Sequence, residues 1–198
     1  LYAQWESATC KIIRGETTTY YRTLQDAIDS VAAGETATIE MMVAEYPVTS
    51  TFTFKDESTA LNNPQKITIV TDTSKTGGKA TKFFWPVSEG ASKSYDFTGD
   101  FFNLNNNNDV LVNAQLTLGN VELDGSGFET TGGTKAAQGG TLVNVGTKAT
   151  LTLCITGADP KVPTLKNNYR SNSGGAIASV GTVTINNAKS ANNSGTDG

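Results

Sequence analysis

The sequence predicts an all-β fold, a right-handed parallel β-helix (β-solenoid) with a short N-terminal capping helix. Three observations lead to this prediction. The 198 residues include 30 Thr, 17 Asn and 20 Gly, and only 17% are charged, a composition that favours strands and turns over helices. Apolar and polar residues alternate along most of the first half. The second half repeats itself as short strands separated by Gly and Asn turns.

One helix is predicted, over Thr23–Ala33. Its apolar residues recur at i, i+3, i+4 and i+7 on a single face: Leu24, Ala27, Ile28 and Val31. Thr23 is a suitable N-cap, and Gly34 stands where helices commonly end. A stacked sheet exposes apolar surface at its open end, so we assign this amphipathic helix as the cap of the core.

After Gly34 the apolar period changes from 3.6 to 2, which predicts strands with one face in the core. The alternating residues are Ala37, Ile39, Met41, Val43, Val48, Phe52, Phe54, Ile67 and Ile69. The next segment, Thr71–Asp96, is rich in Lys, Ser and Gly. We expect it to be a long loop that lies on the body through Phe83, Phe84 and Trp85.

From residue 101 onward the chain repeats. Gln138–Leu153 aligns with Ser173–Ile185 once a two-residue insertion is allowed, and the Gly-Gly pairs beginning at Gly139 and Gly174 set an offset of 35 residues. The alignment matches Val145-Gly146 with Val180-Gly181, and Leu151-Thr152-Leu153 with Val183-Thr184-Ile185. A weaker third copy precedes these two. It matches Phe102-Asn103-Leu104 with Val143-Asn144-Val145, and Leu116-Thr117-Leu118 with Leu151-Thr152-Leu153. This period, without intervening helices, indicates stacked copies whose strands pair in parallel.

Charge and composition exclude several classes of function. The net charge is −4, the isoelectric point is about 4.8 and there is no Lys/Arg run, so we expect no nucleic-acid partner. No apolar run reaches the ~20 residues of a membrane span, so we expect no membrane insertion within this segment. The absence of His excludes His-based nucleophile systems and zinc sites. We expect no cofactor and no metal site, and we expect Cys10 and Cys154 to be free thiols.

An enzymatic alternative is a polysaccharide lyase or glycoside hydrolase whose catalytic residues lie elsewhere in the protein. Such enzymes need clustered Asp residues, usually with a nearby Arg or Lys. The candidates here are Asp109, Asp124 and Arg170, but Asp124 precedes Gly125 and is predicted to be a turn residue. We therefore assign no catalytic residues and expect no enzymatic activity.

Two further readings concern the surface. Trp85 and Tyr95 are the candidate ligand-binding residues, because flat rings can stack on sugars, although core packing explains such rings equally well. Thr-x-Thr strings at Thr36–Thr38, Thr51–Thr53, Thr150–Thr152 and Thr182–Thr184 raise the possibility of an ice-binding array. We expect these strings to fall in different strand contexts, which argues against one regular array.

Several motifs carry resemblances to known families. Leu165–Asn168 and Gly174–Ile177 resemble the paired boxes of polymorphic outer-membrane-protein repeats, hydrophobic-x-x-Asn and Gly-Gly-Ala-Ile, found in bacterial adhesins. Tyr21–Ile28 is similar to the opening helix of pectin-lyase-like surface proteins. Residues 1–6, LYAQWE, resemble the last strand of the internalin-type B repeat.

These resemblances imply a domain organisation and a location. Residues 1–6 would be the tail of an upstream β-grasp-type repeat and residues 7–198 a parallel β-helix domain that continues beyond Gly198. The protein would be extracellular, attached to a bacterial cell surface or secreted. It would serve as an adhesin-like binding or stalk module, and its partner would be a host or microbial surface glycan or protein.

Overall fold

The computed structural model describes residues 8–55, 63–89, 93–105, 112–127, 140–156, 161–170 and 174–193. The predicted upstream tail at residues 1–6, Asp109, and the predicted approach to a further copy at residues 194–198 lie outside the described residues. The rest is mostly β, in three mostly parallel sheets and one two-stranded sheet.

The secondary-structure elements follow one another as β1 (Cys10–Arg14), β2 (Thr17–Tyr21), α1 (Leu24–Asp29), β3 (Thr36–Met41), β4 (Glu45–Pro47), β5 (Phe52–Thr53), β6 (Gln65–Thr71), β7 (Thr81–Phe84), β8 (Val87–Glu89), β9 (Lys93–Tyr95), β10 (Phe102–Leu104), β11 (Ala114–Leu118), β12 (Val121–Asp124), β13 (Val143–Val145), β14 (Thr150–Cys154), β15 (Thr164–Lys166), β16 (Ile177–Ser179), β17 (Thr182–Asn186) and β18 (Lys189–Ala191). The first sheet has the order β17-β14-β11-β6-β3-β1-β2, the second β16-β13-β10-β5 and the third β18-β15-β12-β7-β4. Strands β8 and β9 form the fourth sheet.

From β5 to β7 and again from β10 onward, the chain visits the three larger sheets in a fixed order. Strands β10, β11 and β12 lie in the second, first and third sheets, and β13 to β15 and β16 to β18 follow the same order. Each strand pairs in parallel with its counterpart in the next set. Rows of side chains therefore continue from one set to the next across each sheet.

The internal repeat predicted most of this register. Phe102 pairs with Val143, Leu116 with Leu151, and Leu151 with Val183, so these alignments are confirmed. One alignment is wrong, because Val145 pairs with Ser179 and not with Val180. Val180 is an extra residue after the end of β16, and its side chain is 70% exposed, as is common for such a residue.

The predicted fold class, a right-handed parallel β-helix with a short N-terminal capping helix, is wrong. The sheets are mostly parallel, but the first ends in the antiparallel strands β1 and β2, and β8 pairs with β9 in a separate antiparallel sheet. The helix predicted over Thr23–Ala33 is not seen at that length, since only Leu24–Asp29 is helical. Apolar alternation identifies a strand but not the direction in which it pairs, so the antiparallel elements could not be predicted from it.

The helical segment that does form has defined ends. The Thr23 hydroxyl accepts a hydrogen bond from the Asp26 main-chain N–H at 3.1 Å, as an N-cap does. Beyond the helix, the buried Gln65 side chain donates to the carbonyl oxygens of Ile28 and Val31, at 2.8 and 2.9 Å. The Val31 main-chain N–H also donates to Ile28 O, and Lys55 Nζ donates to Val31 O, each at 3.1 Å, so Gln65 shares the acceptors beyond the helix end with these groups.

Aromatic side chains from two sheets fill part of the core. Phe52 and Phe102 come from neighbouring strands of the second sheet, and Phe83 comes from the third. Their ring centroids are 5.2 Å apart for Phe52 and Phe102 and 5.9 Å apart for Phe83 and Phe102. All three are nearly or fully buried, so this cluster joins the two sheets through apolar contact.

The prediction of a long loop over Thr71–Asp96 is wrong in part. The segment contains β7, β8 and β9, and among its described residues the longest stretch without a strand is Asp72–Ala80. Phe83 and Trp85 are fully buried, as expected, whereas Phe84 faces the outer side of the third sheet and is half-buried. The Lys and Gly content concealed a strand because Lys82 occupies an outward position between buried neighbours.

Candidate functional site

The two candidate ligand-binding residues lie against the core. The Trp85 ring is fully buried and lies 4.1 Å from the Phe101 ring and 6.3 Å from the Tyr95 ring, measured between centroids. No face of Trp85 is therefore open to a sugar in this structure. Tyr95 is half-buried on the two-stranded sheet, and its contact with a ligand stays a prediction.

Asp124 is held in a turn, as its sequence context predicts. Its Oδ1 accepts hydrogen bonds from the Ser126 main-chain N–H and the Asn167 side-chain amide, each at 2.9 Å. Lys166 Nζ lies 3.6 Å from its Oδ2. Ser126 has a φ of 51°, a conformation that such a turn stabilises. Arg170, the other described candidate, is half-buried just after the third-sheet strand β15.

The Thr-x-Thr strings are more regular than the sequence suggested. Thr38, Thr68, Thr117, Thr152 and Thr184 are in register across five parallel strands of the first sheet. The expectation that the strings fall in different contexts is therefore wrong for three of them, and holds for Thr51–Thr53, which reaches the second sheet. The adjacent row is interrupted by Lys66 and Gln115, so the threonines form one row and not a two-dimensional array.

A charged cleft lies on the outer face of the third sheet and is a candidate site. Its floor is a row of three side chains on neighbouring strands, Glu45 on β4, Lys82 on β7 and Glu122 on β12. They stand side by side because these strands pair in parallel with their outward positions aligned. Lys79 and Lys161 line the cleft from loops above this row.

The loop Asp72–Ala80 forms one wall of the cleft and has its own internal hydrogen bonds. The main-chain N–H of Lys75 donates to Asp72 O at 3.0 Å, and that of Gly78 donates to Thr73 O at 2.9 Å. Gly77 and Gly78 have φ values of 64° and 77°, which glycine adopts without strain. The Lys161 ammonium group donates to the carbonyl oxygen of Gly78, which ties the loop to a distant part of the chain.

The cleft has a volume of about 720 Å³, within the range of small-molecule sites. Three small residues, Ala44, Gly78 and Ala80, leave room between the charged groups. The third sheet positions the floor of the cleft, and the hydrogen-bonded loop forms its wall.

The two carboxylates of the cleft are already paired. Glu45 Oε1 lies 3.2 Å from Lys82 Nζ, and Glu122 Oε1 lies 2.9 Å from Lys166 Nζ on the next strand. The hydrogen bond to Glu122 raises the pKa of Lys166, which keeps that lysine charged. Lys166 Nζ also lies 3.6 Å from Asp124 Oδ2, so two carboxylates share that lysine. Lys79 forms no ion pair with any other described residue.

Other kinds of site find less support in the structure. In the part of the chain that is described, no group of three or more His, Cys, Asp or Glu side chains is placed to hold a metal ion. Cys10 and Cys154 are free, as predicted, and burial raises the pKa of the Cys10 thiol to about 12, so that thiol is a poor nucleophile. No helix among the described residues is long and apolar enough to cross a membrane.

Sequence reasoning missed the cleft because its residues lie far apart in the chain. The floor residues Glu45, Lys82 and Glu122 are separated by loops of unequal length, so no fixed spacing marks them. Lys79 and Lys161 belong to irregular segments that show no apolar period. One signal of the cleft was available, the match of Lys82-Phe83-Phe84 with Glu122-Leu123-Asp124. This match places the opposite charges of Lys82 and Glu122 at equivalent outward positions on neighbouring strands.

In comparisons with protein-family models, with curated proteins and with solved structures, the chain matched none.

Proposed function

We propose that this chain is a non-catalytic, adhesin-like binding or stalk module of a bacterial cell-surface or secreted protein. Its partner is a surface glycan, and the chain acts outside the cell. The observation that carries the proposal is the charged cleft, which has a volume of about 720 Å³ and is lined by both lysine and glutamate side chains. Sites of this size take small ligands or single sugar units of a larger glycan.

The stalk role is supported by hydrogen bonds between side chains at the ends of three strands of the third sheet. Asn192 Nδ2 donates to Asn167 Oδ1 at 3.3 Å, and Asn167 Nδ2 donates to Asp124 Oδ1 at 2.9 Å. This ladder of side chains runs parallel to the main-chain pairing and connects three successive strand ends. Repeated pairing of this kind stiffens a stack along one direction, which suits a rod that holds a binding site away from a surface.

The adhesin assignment is supported by contact between the two repeat boxes. Asn168, the last residue of the hydrophobic-x-x-Asn box, donates from its buried side chain to the carbonyl oxygen of Gly175 in the Gly-Gly-Ala-Ile box. Asn193 stands one strand further along and donates to Leu165 O at 2.9 Å. The boxes thus have a structural reason to recur together, as they do in the repeats they resemble.

The absence of catalysis is proposed from the state of the carboxylates. A general acid or base must be able to exchange a proton with a bound substrate. Glu45, Glu122 and Asp124 are each within 4 Å of a lysine ammonium group, and Asp124 also accepts two hydrogen bonds. Carboxylates that are bound in this way by groups of the same chain are suited to a structural role.

The experiment that tests the proposal is glycan-array binding of the chain and of a variant whose cleft is filled. Ala80 lines the cleft, so Ala80→Trp places a large ring there without changing any charge. Gln115→Trp is the matched control, since Gln115 is exposed on the outer face of the first sheet. We expect at least one array glycan to bind the unmodified chain and the control, and binding to be lost in Ala80→Trp. Equal binding by all three proteins, or no binding by any, would overturn the proposal.

A further inference from the structure

We propose that a second cavity, on the outer face of the second sheet, binds one neutral sugar unit through side-chain amides and a hydroxyl group. The cavity lies where β5 and β10 end, and it has a volume of about 290 Å³. Its described lining residues are Thr53, Phe54, Asn103, Asn105 and Val112. This inference rests on the proposed function only in taking a glycan as the partner, and it adds a site separate from the charged cleft.

Parallel pairing of strands positions the polar groups of this cavity. Thr53 on β5 is in register with Asn103 on β10. Both point away from the core, because the residues that precede them, Phe52 and Phe102, are buried. Asn144 on β13 continues the same outward row. A hydroxyl group and two amides therefore stand side by side across three strands.

A chain of polar contacts orients the amides. Asp100 Oδ2 accepts a hydrogen bond from Asn144 Nδ2 at 3.1 Å, and Asn144 Oδ1 lies 3.5 Å from Asn105 Nδ2. The Asn105 main-chain N–H donates to Asn103 Oδ1 at 2.8 Å, which fixes the orientation of the Asn103 amide. Among the described residues, Asn103 Nδ2 has no acceptor, so this group can donate to a sugar oxygen.

The lining of the cavity favours an uncharged ligand. None of the described lining residues is charged. The Asp100 carboxylate, at the end of the chain of contacts, already accepts hydrogen bonds from the Thr141 main-chain N–H at 2.8 Å and from Asn144. An ionised ligand would lose hydration without gaining an ionic partner. Sugar hydroxyl groups can instead exchange hydrogen bonds with water for hydrogen bonds with the amides.

An extended peptide fits this cavity poorly. A peptide that binds a sheet usually pairs with an edge strand, and β5 is the edge strand of the second sheet. The Thr53 main-chain N–H, however, donates to Gln25 Oε1 at 3.0 Å, and the Thr53 carbonyl oxygen accepts from Gln25 Nε2 at 2.9 Å. Recognition here therefore depends on side chains. The volume of the cavity, near the lower end for small-molecule sites, suits a single sugar unit.

The test is nuclear magnetic resonance of the ¹⁵N-labelled chain titrated with matched neutral and acidic monosaccharides. The pairs are galactose with galacturonate, glucose with glucuronate, and N-acetylglucosamine with N-acetylmuramate. We expect at least one neutral member to shift the amide signals of Thr53, Asn103 and Asn105. That neutral sugar should bind about fivefold or more tightly than its acidic counterpart.

Asn103→Asp tests the proposed donor. The new carboxylate keeps an oxygen that accepts from the Asn105 N–H but has no Nδ2 group, so binding should weaken about tenfold. Asn186→Asp makes the same change at an exposed position of β17 and should bind as the unmodified chain does. Thr53→Val keeps the shape of the side chain but removes its hydroxyl group, and it should weaken binding about threefold.

The outcomes distinguish this site from the charged cleft. The inference would be overturned if no monosaccharide shifted the signals of Thr53, Asn103 and Asn105, or if Asn103→Asp and Asn186→Asp had equal effects. Equal or tighter binding of the acidic member of each pair would also overturn it. The proposed function would survive these results if Ala80→Trp abolished array binding. If Ala80→Trp left array binding unchanged while the monosaccharide shifts depended on Asn103, the inference would stand and the role proposed for the cleft would fail.

Discussion

Asn168 donates a hydrogen bond from its side-chain Nδ2 to the main-chain carbonyl oxygen of Gly175, and so connects the end of the third sheet to the start of the next second-sheet strand. The same Nδ2 lies 3.4 Å from Gly140 O, and the Asn168 main-chain N–H donates to Asn193 Oδ1 at 3.0 Å. The side chain is fully buried. Asn168 thus bonds to three segments of the chain, two through its side-chain amide and one through its main-chain N–H.

Replacing Asn168 should destabilise the fold. Asn168→Ala leaves the carbonyl oxygens of Gly140 and Gly175 without their donor in a buried site, and we expect a loss of roughly 1–3 kcal/mol in the free energy of unfolding. Urea denaturation followed by circular dichroism measures this change. Asn186→Ala, at an exposed position in β17, is the control and should stay within about 0.5 kcal/mol of the unmodified chain.

The short helix should be sensitive to charge on its buried face. Leu24 is fully buried, and Leu24→Asp would place a carboxylate in an apolar site without a partner, at a cost of about 3 kcal/mol or more. Arg22→Asp introduces the same side chain two residues earlier at an exposed position and should have little effect. Melting temperatures of the two variants check this, and similar values would mean that Leu24 does not contribute to the core.

Stability should fall at acid pH through Asp72. Lys11 Nζ lies 2.6 Å from Asp72 Oδ2 and 3.0 Å from Glu40 Oε2, which joins β1 to β3 and to the end of β6. Burial alone would raise the pKa of Asp72, but hydrogen bonds from Lys11 and Ser74 outweigh it and hold the pKa below its usual value. The folded pKa is thus below the unfolded one, about 3.9, so this contribution is complete above that value and is lost as pH falls through the folded pKa.

Thermal melts from about pH 7 to about pH 2 measure this effect. Asp72→Asn should be less stable than the unmodified chain at neutral pH, by roughly 1–2 kcal/mol, and the difference should shrink as the pH falls below the unfolded pKa of about 3.9. Glu16→Gln is the control, because Glu16 is exposed in the turn between β1 and β2. A difference between Asp72→Asn and the unmodified chain that does not depend on pH would contradict the role given to this ion pair.

We predict no turnover of pectin, alginate or mucin glycans by this chain, with or without calcium. The physical reason is that Asp124, the strongest described catalytic candidate, is held by Ser126, Asn167 and Lys166. Reducing-sugar and unsaturated-product assays measure both classes of reaction. Activity that disappears in Asp124→Ala, while the variant keeps its melting temperature, would show that the carboxylate is catalytic.

The strands and their register were the most predictable part of the fold. The alternation of Ile67 and Ile69 with polar residues, and the repeat that matches Leu151 with Val183, follow from burial on one face and from equal strand lengths in successive copies. Local sequence carries both signals. It does not carry the direction of pairing, so the antiparallel hairpin of β1 and β2, which turns at Gly15, was missed.

The candidate site was less predictable than the fold. Aromatic residues such as Trp85 draw attention in a sequence, yet a large apolar ring gains more from burial than from exposure, and Trp85 is fully buried. The cleft depends on the alignment of Glu45, Lys82 and Glu122 across three strands. That alignment is set by the lengths of irregular loops, and no local pattern encodes it.

The most direct measurement of the central claim is nuclear magnetic resonance of the ¹⁵N-labelled chain titrated with the glycan that binds most tightly on the array. If the cleft is the binding site, amide shifts should change most at Lys79, Lys82 and Glu122, and should stay constant at Thr117 and Thr152 on the outer face of the first sheet. Changes centred on that threonine row, or no changes at any concentration that saturates binding, would contradict the account.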